Sequence, residues 1–393
     1  MRILCVATKS PWPPRDGGRL ALALTLQGLA EDGHEIRLVA PVHGDDSTQA
    51  DPAGRIRLHS VALPRLPWPI AATRALVTRR ALSIVRHHRT ELENAVDDAL
   101  ADFRPDIVHA EQLQALANCS AALRRGTPLV LRTQNVESHI WQQVGAASLR
   151  HLPLIFEARR LRAEESRAVA AATRTLTLTE NDAAALREIA RPAGAKISAL
   201  APPFPSRLAP GATLPGEPAI ALSGSAGWWP NTQATQWFLR HVLPLVSRQL
   251  PRAVVHVFGG DAPVSAPNVR QHPAPADSAD AFPDGAIAAV PLFVGSGIRM
   301  RILEAWARGL PVVATSVAAR GLEVTAGCEL AIADTPEAFC AAIHMLAENP
   351  DMRATMIEAG HRYLMQRHDP ARLTQALVRV YRHAIAPHYA LMQ

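Results

Sequence analysis

The chain has 393 residues, 48% of them hydrophobic and 19% charged, so it can bury a large core, is not disordered, and is too long for one typical domain. Its formal net charge is +6, but the cations are almost all arginine, with Lys9 and Lys196 the only lysines. No basic tail or RNA-binding aromatic motif accompanies that charge, so nucleic acid is not the expected partner.

The chain opens on an apolar run, residues 3–7, that reads as a buried strand and is too short for a signal peptide. A loop, 8–18, a long amphipathic run, 19–32, and a second strand, 35–40, complete a βαβ unit. Its loop lacks the Gly-x-Gly-x-x-Gly of dinucleotide enzymes. Gly17 and Gly18 at the helix entrance would still let an acceptor or a phosphate come close, with a simple turn as the alternative. Residues 55–62 form a third strand candidate. The stretch 64–89 is rich in arginine and lacks Asp and Glu altogether. Taken as a helix from about Ala71, it sets Val77, Ala81, Ile84 and Val85 on one face and Arg79, Arg80, Arg86 and His87 on the other. Preceded by Leu66, Trp68 and Ile70, such a helix could make peripheral contact with an anionic membrane; an ordinary domain helix is the alternative.

A helix over 91–103 leads to a strand, 106–110, which delivers His109 and Glu111 to its carboxyl end. Residues 128–132 repeat the arrangement and deliver Thr133, Gln134, Asn135, Glu137 and His139. Both clusters fall where parallel sheets carry their ligand-binding loops. The sequence offers no metal motif: His-x-x-x-His, Asp-x-Asp and clustered cysteines are all lacking. Cys5, Cys119, Cys328 and Cys340 are scattered and read as small buried hydrophobes in a reducing compartment. After a helix at 154–172, a strand at 175–179, a helix at 180–190 and a strand at 196–200, the Pro/Gly-dense stretch 201–218 reads as an interdomain linker.

A second α/β series starts with a strand at 219–222, the turn Ser223, Gly224, Ser225, and Asn231 ahead of a helix at about 232–245. Strands at 253–258 and around Val269 follow. Residues 286–324 then hold a strand (286–292), a glycine turn (Gly295, Ser296, Gly297), a helix (299–308) closed by Gly309, and a strand (311–314). The first N–H groups of that helix lack partners within it, and its dipole adds positive charge at the same end. Arg299 and Arg301 add two full charges there, and Glu304 lies on the same first turn. Such a turn suits a diphosphate, with a carboxylate to accept from sugar hydroxyls; a solvated helix face is the alternative. Two helices and a terminal amphipathic run, 372–385, close the chain. No charge-free run is long enough to span a bilayer, so the protein is expected to be cytoplasmic, with the inner face of the plasma membrane left open.

The run GSGIRMRILEAWARGLPVVATSVAARGLEV resembles the nucleotide-sugar motif of the retaining glycosyltransferases of family 4, through Leu303–Ala305 and Gly309–Thr315. RILCVATKSPWPPRDGGRLALALTLQGLAEDGHEIRLVA resembles that family's first βαβ unit, and SGSAGWWPNTQATQWFLRHVLP the start of its donor domain in members that assemble bacterial polysaccharides. The resemblance implies the α/β GT-B fold: two doubly wound Rossmann-like domains facing each other across a cleft. It implies an acceptor domain (1–200), the linker (201–218), a donor domain (219–370) and a C-terminal helix (371–393) whose return to the first domain is left open. It further implies transfer of a sugar from a nucleotide diphosphate, with no cofactor, to a saccharide or lipid-linked acceptor. Arg299, Arg301 and Glu304 would then be catalytic, the first two on the diphosphate and Glu304 on the ribose. Gly224, Ser225, Asn231, Gly295, Ser296 and Gly297 would bind the donor. Gly17, Gly18, His109, Glu111, Asn135, Glu137 and His139 would face the acceptor. Glu304 matches the second glutamate of the family's paired-glutamate motif; the first, eight positions earlier, is Ser296 in this chain. A sugar-nucleotide epimerase of the same fold and a non-catalytic nucleotide-sugar-binding protein are the alternatives.

Overall fold

The computed structural model describes residues 1–42, 51, 53–64, 66–147, 151–223, 228–259 and 266–390. The chain divides into two compact units. The first comprises Met1–Pro13, Arg19–Pro203 and the residues from Pro370 onward; the second comprises Pro14–Gly18 and Phe204–Asp369.

The first unit holds seven strands: β1 (Arg2–Ala7), β2 (Glu35–Val42), β3 (Ile56–Ala62), β4 (Ile107–Glu111), β5 (Leu129–Thr133), β6 (Arg174–Thr177) and β7 (Ile197–Ala199). They form one parallel sheet in the order β3-β2-β1-β4-β5-β6-β7. Successive side chains of a strand alternate between faces, and β1 uses both. Leu4 and Val6 pack with Val108, Leu131, Ile84, Val96 and Leu161, whereas Ile3 and Cys5 pack with Leu22, Leu26, Leu29, Leu377 and Tyr381. The second set brings the helices Gly17–Glu31 and Pro370–Ala390 onto one face, so the C-terminal helix is part of this unit's core.

The second unit holds β8 (Ala219–Ser223), β9 (Val254–Phe258), β10 (Val269–His272), β11 (Ile287–Val290), β12 (Val312–Ala314) and β13 (Ala331–Ile332). This parallel sheet runs β10-β9-β8-β11-β12-β13. Ile220, Val255, Ile287 and Val313 bury one face against Phe238, Val242, Phe339 and Ile343. In both sheets the strand order reverses at one pair, β1/β4 and β8/β11, which fixes where a doubly wound sheet leaves a crevice at its carboxyl edge.

Several local expectations are corrected. The Pro/Gly-dense stretch 201–218 packs as part of the second unit from Phe204 onward: Phe204 is fully buried, and the Leu208 amide donates to the Ala307 carbonyl. The segment read as one helix from Ala71 is two, Trp68–Thr78 and Leu82–His87, separated where Arg79 adopts a left-handed φ of 54°. Val77 is 77% exposed rather than inward, because Ala71 and Ala75 take the buried face. Arg80 does not stand free on the opposite face but pairs with Glu164 at 3.0 Å. The helix expected at 232–245 starts at Trp229 and widens into a π turn at Phe238–Val242. The Leu243 amide reaches the Phe238 carbonyl just before Pro244, which has no N–H to continue the ordinary ladder. Cys328 is exposed, unlike the other three cysteines. No helix among the described residues is long and apolar enough to cross a membrane.

Candidate functional site

The reversal point of the second sheet carries the candidate donor residues. β8 ends at Ser223; Gly224 and Ser225, expected to bind donor, lie outside the described residues. β11 ends at Val290 and leads into Gly295, Ser296 and Gly297, all buried. Gly297 has φ 75°, a backbone state that a side chain would strain. At Gly295 a Cβ would lie 2.7 Å from Nη1 of Arg299, so the bare glycine gives the guanidinium room to lie against the turn. Helix Met300–Ala307 then begins, one residue after the start read from sequence, and Gly309 (φ 73°) follows its end.

Arg301 is half-buried at the front of this helix. Its Nη1 donates to the Ser223 carbonyl and its Nη2 to Asn231 Oδ1 at 3.4 Å. Both acceptors are neutral. Burial, then the like charge of Arg299, pulls its pKa down to about 10, with Glu304 opposing. Glu304 is 2% exposed, and its Oε1 accepts from Nε and Nη2 of Arg308 at 3.1 and 2.9 Å. Its pKa is raised by burial against the bonds from Ser278 and Arg308. Arg301, Glu304, Ser223, Ser278, Phe258 and Phe282 line a cavity of about 80 Å³, together with Arg15, Asp16 and Gly17 of the short segment grouped with this unit. Gly17 also packs directly on Met300: a Cβ there would come 2.3 Å from the Met300 Cβ, so close approach alone demands the glycine. Gly18 is half-buried beside it in sequence.

The candidate acceptor residues of the first unit fall into three environments. His109 and Glu111, both 2% exposed, belong to one buried polar network at the β1/β4 reversal point. Glu111 Oε2 accepts from Arg132 Nε at 2.7 Å and lies 2.9 Å from His109 Nε2, while Glu111 Oε1 accepts from Gln134 Nε2 at 2.9 Å. With Nε2–H given to Glu111, His109 Nδ1 accepts from the Tyr381 hydroxyl at 2.6 Å. Despite burial, the Arg132 charge and the His109 bond draw the Glu111 pKa down to about 2. Asn135 and Glu137 form a second group, in which burial raises the Glu137 pKa against bonds from Gln114 and Asn135. Directly behind it, Glu165 accepts from the Ser138 amide (3.1 Å) and hydroxyl (2.5 Å), tying the first turn of helix Glu137–Ala146. Burial pushes the Glu165 pKa up to about 7. His139 is apart from Glu137, with Arg162, Asp182 and Glu188 as its charged neighbours, and burial lowers its pKa.

Sequence reasoning passed over Arg308, Ser278 and Phe258 in the second unit, and Arg132, Glu165 and Tyr381 in the first. Only Arg308 had a local signal, its i,i+4 spacing from Glu304. Among the described residues no group of three or more His, Cys, Asp or Glu side chains is placed to hold a metal ion.

Two family profiles match: "Glycosyl transferase 4-like domain" over residues 16–203 and "Glycosyl transferases group 1" over residues 217–349. No relative matches by sequence among curated proteins. Among solved structures, sucrose-phosphate synthase from Thermosynechococcus elongatus is similar over 98% of this chain and 100% of its own, with a TM-score of 0.74 and 14% identity. HepE of Anabaena in complex with UDP-glucose is similar over 96% and 98% of the two chains, with a TM-score of 0.63 and 13% identity. A glycosyltransferase from Rickettsia africae covers 98% of both, with a TM-score of 0.61 and 11% identity. The fold is GT-B, and the chain is a glycosyltransferase built from a 4-like domain and a group 1 domain.

Proposed function

From these two glycosyltransferase domains, we propose that the chain transfers a sugar from a nucleotide diphosphate to a hydroxyl of a saccharide or lipid-linked acceptor, with retention of configuration, in cell-surface polysaccharide or glycolipid assembly. The observation that carries the donor half is Arg301. A half-buried guanidinium whose acceptors among the described residues are neutral, with a second arginine nearby, is held at an electrostatic cost that an incoming diphosphate relieves.

In the proposed reaction the bond from the anomeric carbon to the diphosphate oxygen breaks, and a bond to the acceptor oxygen forms on the same face. The acceptor proton passes to the leaving phosphate. Negative charge grows on the diphosphate as the bond breaks, so Arg299, Arg301 and the helix N-terminus act most strongly in the transition state. This meets the leaving-group charge with arginines and asks for no metal. Glu304, bonded by Arg308, is the carboxylate that accepts from the ribose hydroxyls in this reading. Phe258 and Phe282 offer apolar wall in the same cavity. On the acceptor side the Asn135–Glu137 group is the stronger candidate, because His109 and Glu111 already satisfy each other and their network.

Ser296, where the family's motif has a carboxylate, favours a second reading: a protein that binds nucleotide sugar without turning it over. Purified protein incubated with UDP-glucose, UDP-N-acetylglucosamine and GDP-mannose, with and without a bacterial lipid extract as acceptor, separates the two. Nucleotide release that depends on the extract supports transfer. Saturable binding of a donor with no release under any acceptor would establish the binding protein instead.

A further inference from the structure

Helix Trp68–Thr78 is inverted relative to an ordinary domain helix. Its buried side chains are two alanines, Ala71 and Ala75, while Trp68, Ile70, Leu76 and Val77 are 64%, 50%, 67% and 77% exposed. A soluble surface helix does the opposite, and a contiguous apolar patch on a folded protein marks a site of association. The patch extends beyond this helix. Glu157 accepts from the Leu82 amide at 2.5 Å, and Glu164 pairs with Arg80, so the start of helix Leu154–Ala171 is tied to the junction after Thr78. At that start Leu152 and Phe156 are also exposed, with the Arg159 guanidinium 5.7 Å from the Phe156 ring. Beside the junction a groove of about 240 Å³ is lined by Ile84, Leu113 and Leu116 together with the charged Arg80, Glu164 and Arg167.

Positive charge dominates around this face. Arg74, Arg79, Arg86 and Arg159 are exposed, and residues 53–90 contain no Asp or Glu. Of the acids near it, Glu157 and Glu164 are buried and bonded within the fold, and the exposed Glu91 is paired with Arg89 and within reach of the Arg74 charge. We propose that this face of the first unit docks on an anionic lipid bilayer, with Trp68, Ile70, Leu76, Val77 and Phe156 in the headgroup–acyl boundary and the arginines on the phosphates. The complement of apolar side chains ringed by an excess of arginines is apolar chains beneath anionic headgroups. The proposal stands apart from the donor chemistry and survives if that reading fails.

The test is co-sedimentation of the full chain with vesicles of phosphatidylcholine alone and of phosphatidylcholine mixed with phosphatidylglycerol. Binding is expected to the mixed vesicles and to weaken as salt rises. Replacing Arg74, Arg79 and Arg86 together by Gln should lower the partition constant about a hundredfold, at about a fivefold loss for each arginine near an anionic surface. Leu76→Ser with Val77→Ser should lower it comparably, with the melting temperature unchanged because neither side chain is packed. Failure of the wild-type chain to bind mixed vesicles overturns the proposal, as does equal binding by the variants. Concentration-dependent dimerisation in ultracentrifugation, lost in the Leu76→Ser, Val77→Ser variant and without vesicle binding, also overturns it and assigns the face to a second copy.

Discussion

Replacing Arg301 by methionine keeps much of the side-chain volume and removes the charge. In the apo protein that charge is a liability: burial and Arg299 pull its pKa down to about 10. At pH 7 the arginine is charged whether folded or not, so the depressed pKa is a cost to folding, relieved only as pH rises through about 10. The displacement corresponds to a few kcal/mol at most, reduced by solvent screening at a half-buried site to about 1–2 kcal/mol. Against this stands the loss of two hydrogen bonds, to the Ser223 carbonyl and Asn231 Oδ1, whose acceptors line or adjoin a cavity that water can enter. Arg301→Met should therefore change unfolding free energy by less than about 1 kcal/mol. Function should respond very differently. Removing one preorganised donor to transition-state charge costs about 10²–10³ in kcat, or about 3–4 kcal/mol. Calorimetric affinity for the nucleotide diphosphate of whichever donor the panel identifies, urea denaturation of the apo protein, and kcat/KM for nucleotide release give the three numbers needed. Arg301→Lys retains the charge but cannot span both neutral acceptors as a planar fork, and should recover most of the lost turnover. A methionine variant that loses more than about 2 kcal/mol of stability while binding that nucleotide as the wild type does would show that Arg301 is a brace within the unit, and the donor assignment would fail.

Two further outcomes follow from buried groups. The Glu165 pKa lies at about 7 against an ordinary 4.5, so its protonated form is favoured by folding. Its contribution is fully present below about pH 4.5 and is lost as pH rises through 7; Glu165→Gln should remove that slope, gaining relative stability at pH 8 over pH 5 by up to about 3 kcal/mol in urea denaturation. Gly360 packs its bare Cα against the Trp306 ring, where a Cβ would lie 2.6 Å from ring carbons. Trp306 is fully buried on the helix that carries Arg301 and Glu304. Gly360→Ala should cost about 1–3 kcal/mol by overpacking and lower turnover through displacement of that helix. Unchanged stability would mean that the ring can move aside.

What could be read beforehand followed from local periodicity. Residues 286–324 announced a βαβ unit because two apolar runs flank a glycine turn and a helix-length segment, and all three parts are present. The elements of both parallel sheets were legible for the same reason. Groups joined over long sequence distances were not. Nothing near Ser138 indicates Glu165, and nothing near His109 indicates Tyr381, because only the packed sheet and its covering helices bring them together. The outward turn of Val77 was hidden for a subtler reason. Hydrophobicity alone assigns the larger side chain to the core, whereas this helix approaches closely enough that two alanines fill the contact. His109 and Glu111 were legible as a polar pair at a strand end, but their mutual satisfaction depends on Arg132 and Gln134 from the next strand.

The placement of helix Pro370–Ala390 against Ile3, Cys5 and Leu26 has a consequence for synthesis on the ribosome. β1 emerges well before part of the wall that covers it. The segment Phe204–Asp369, which builds nearly all of the second unit, emerges as one uninterrupted stretch while the first sheet still lacks Leu377, Val378 and Tyr381. During that interval the apolar face of Leu22, Leu26 and Leu29 is incompletely covered, and His109 Nδ1 has no tyrosine to donate to it. The unit that starts first therefore finishes last, and a ribosome stalled anywhere in the second unit leaves an open sheet face for chaperones to hold.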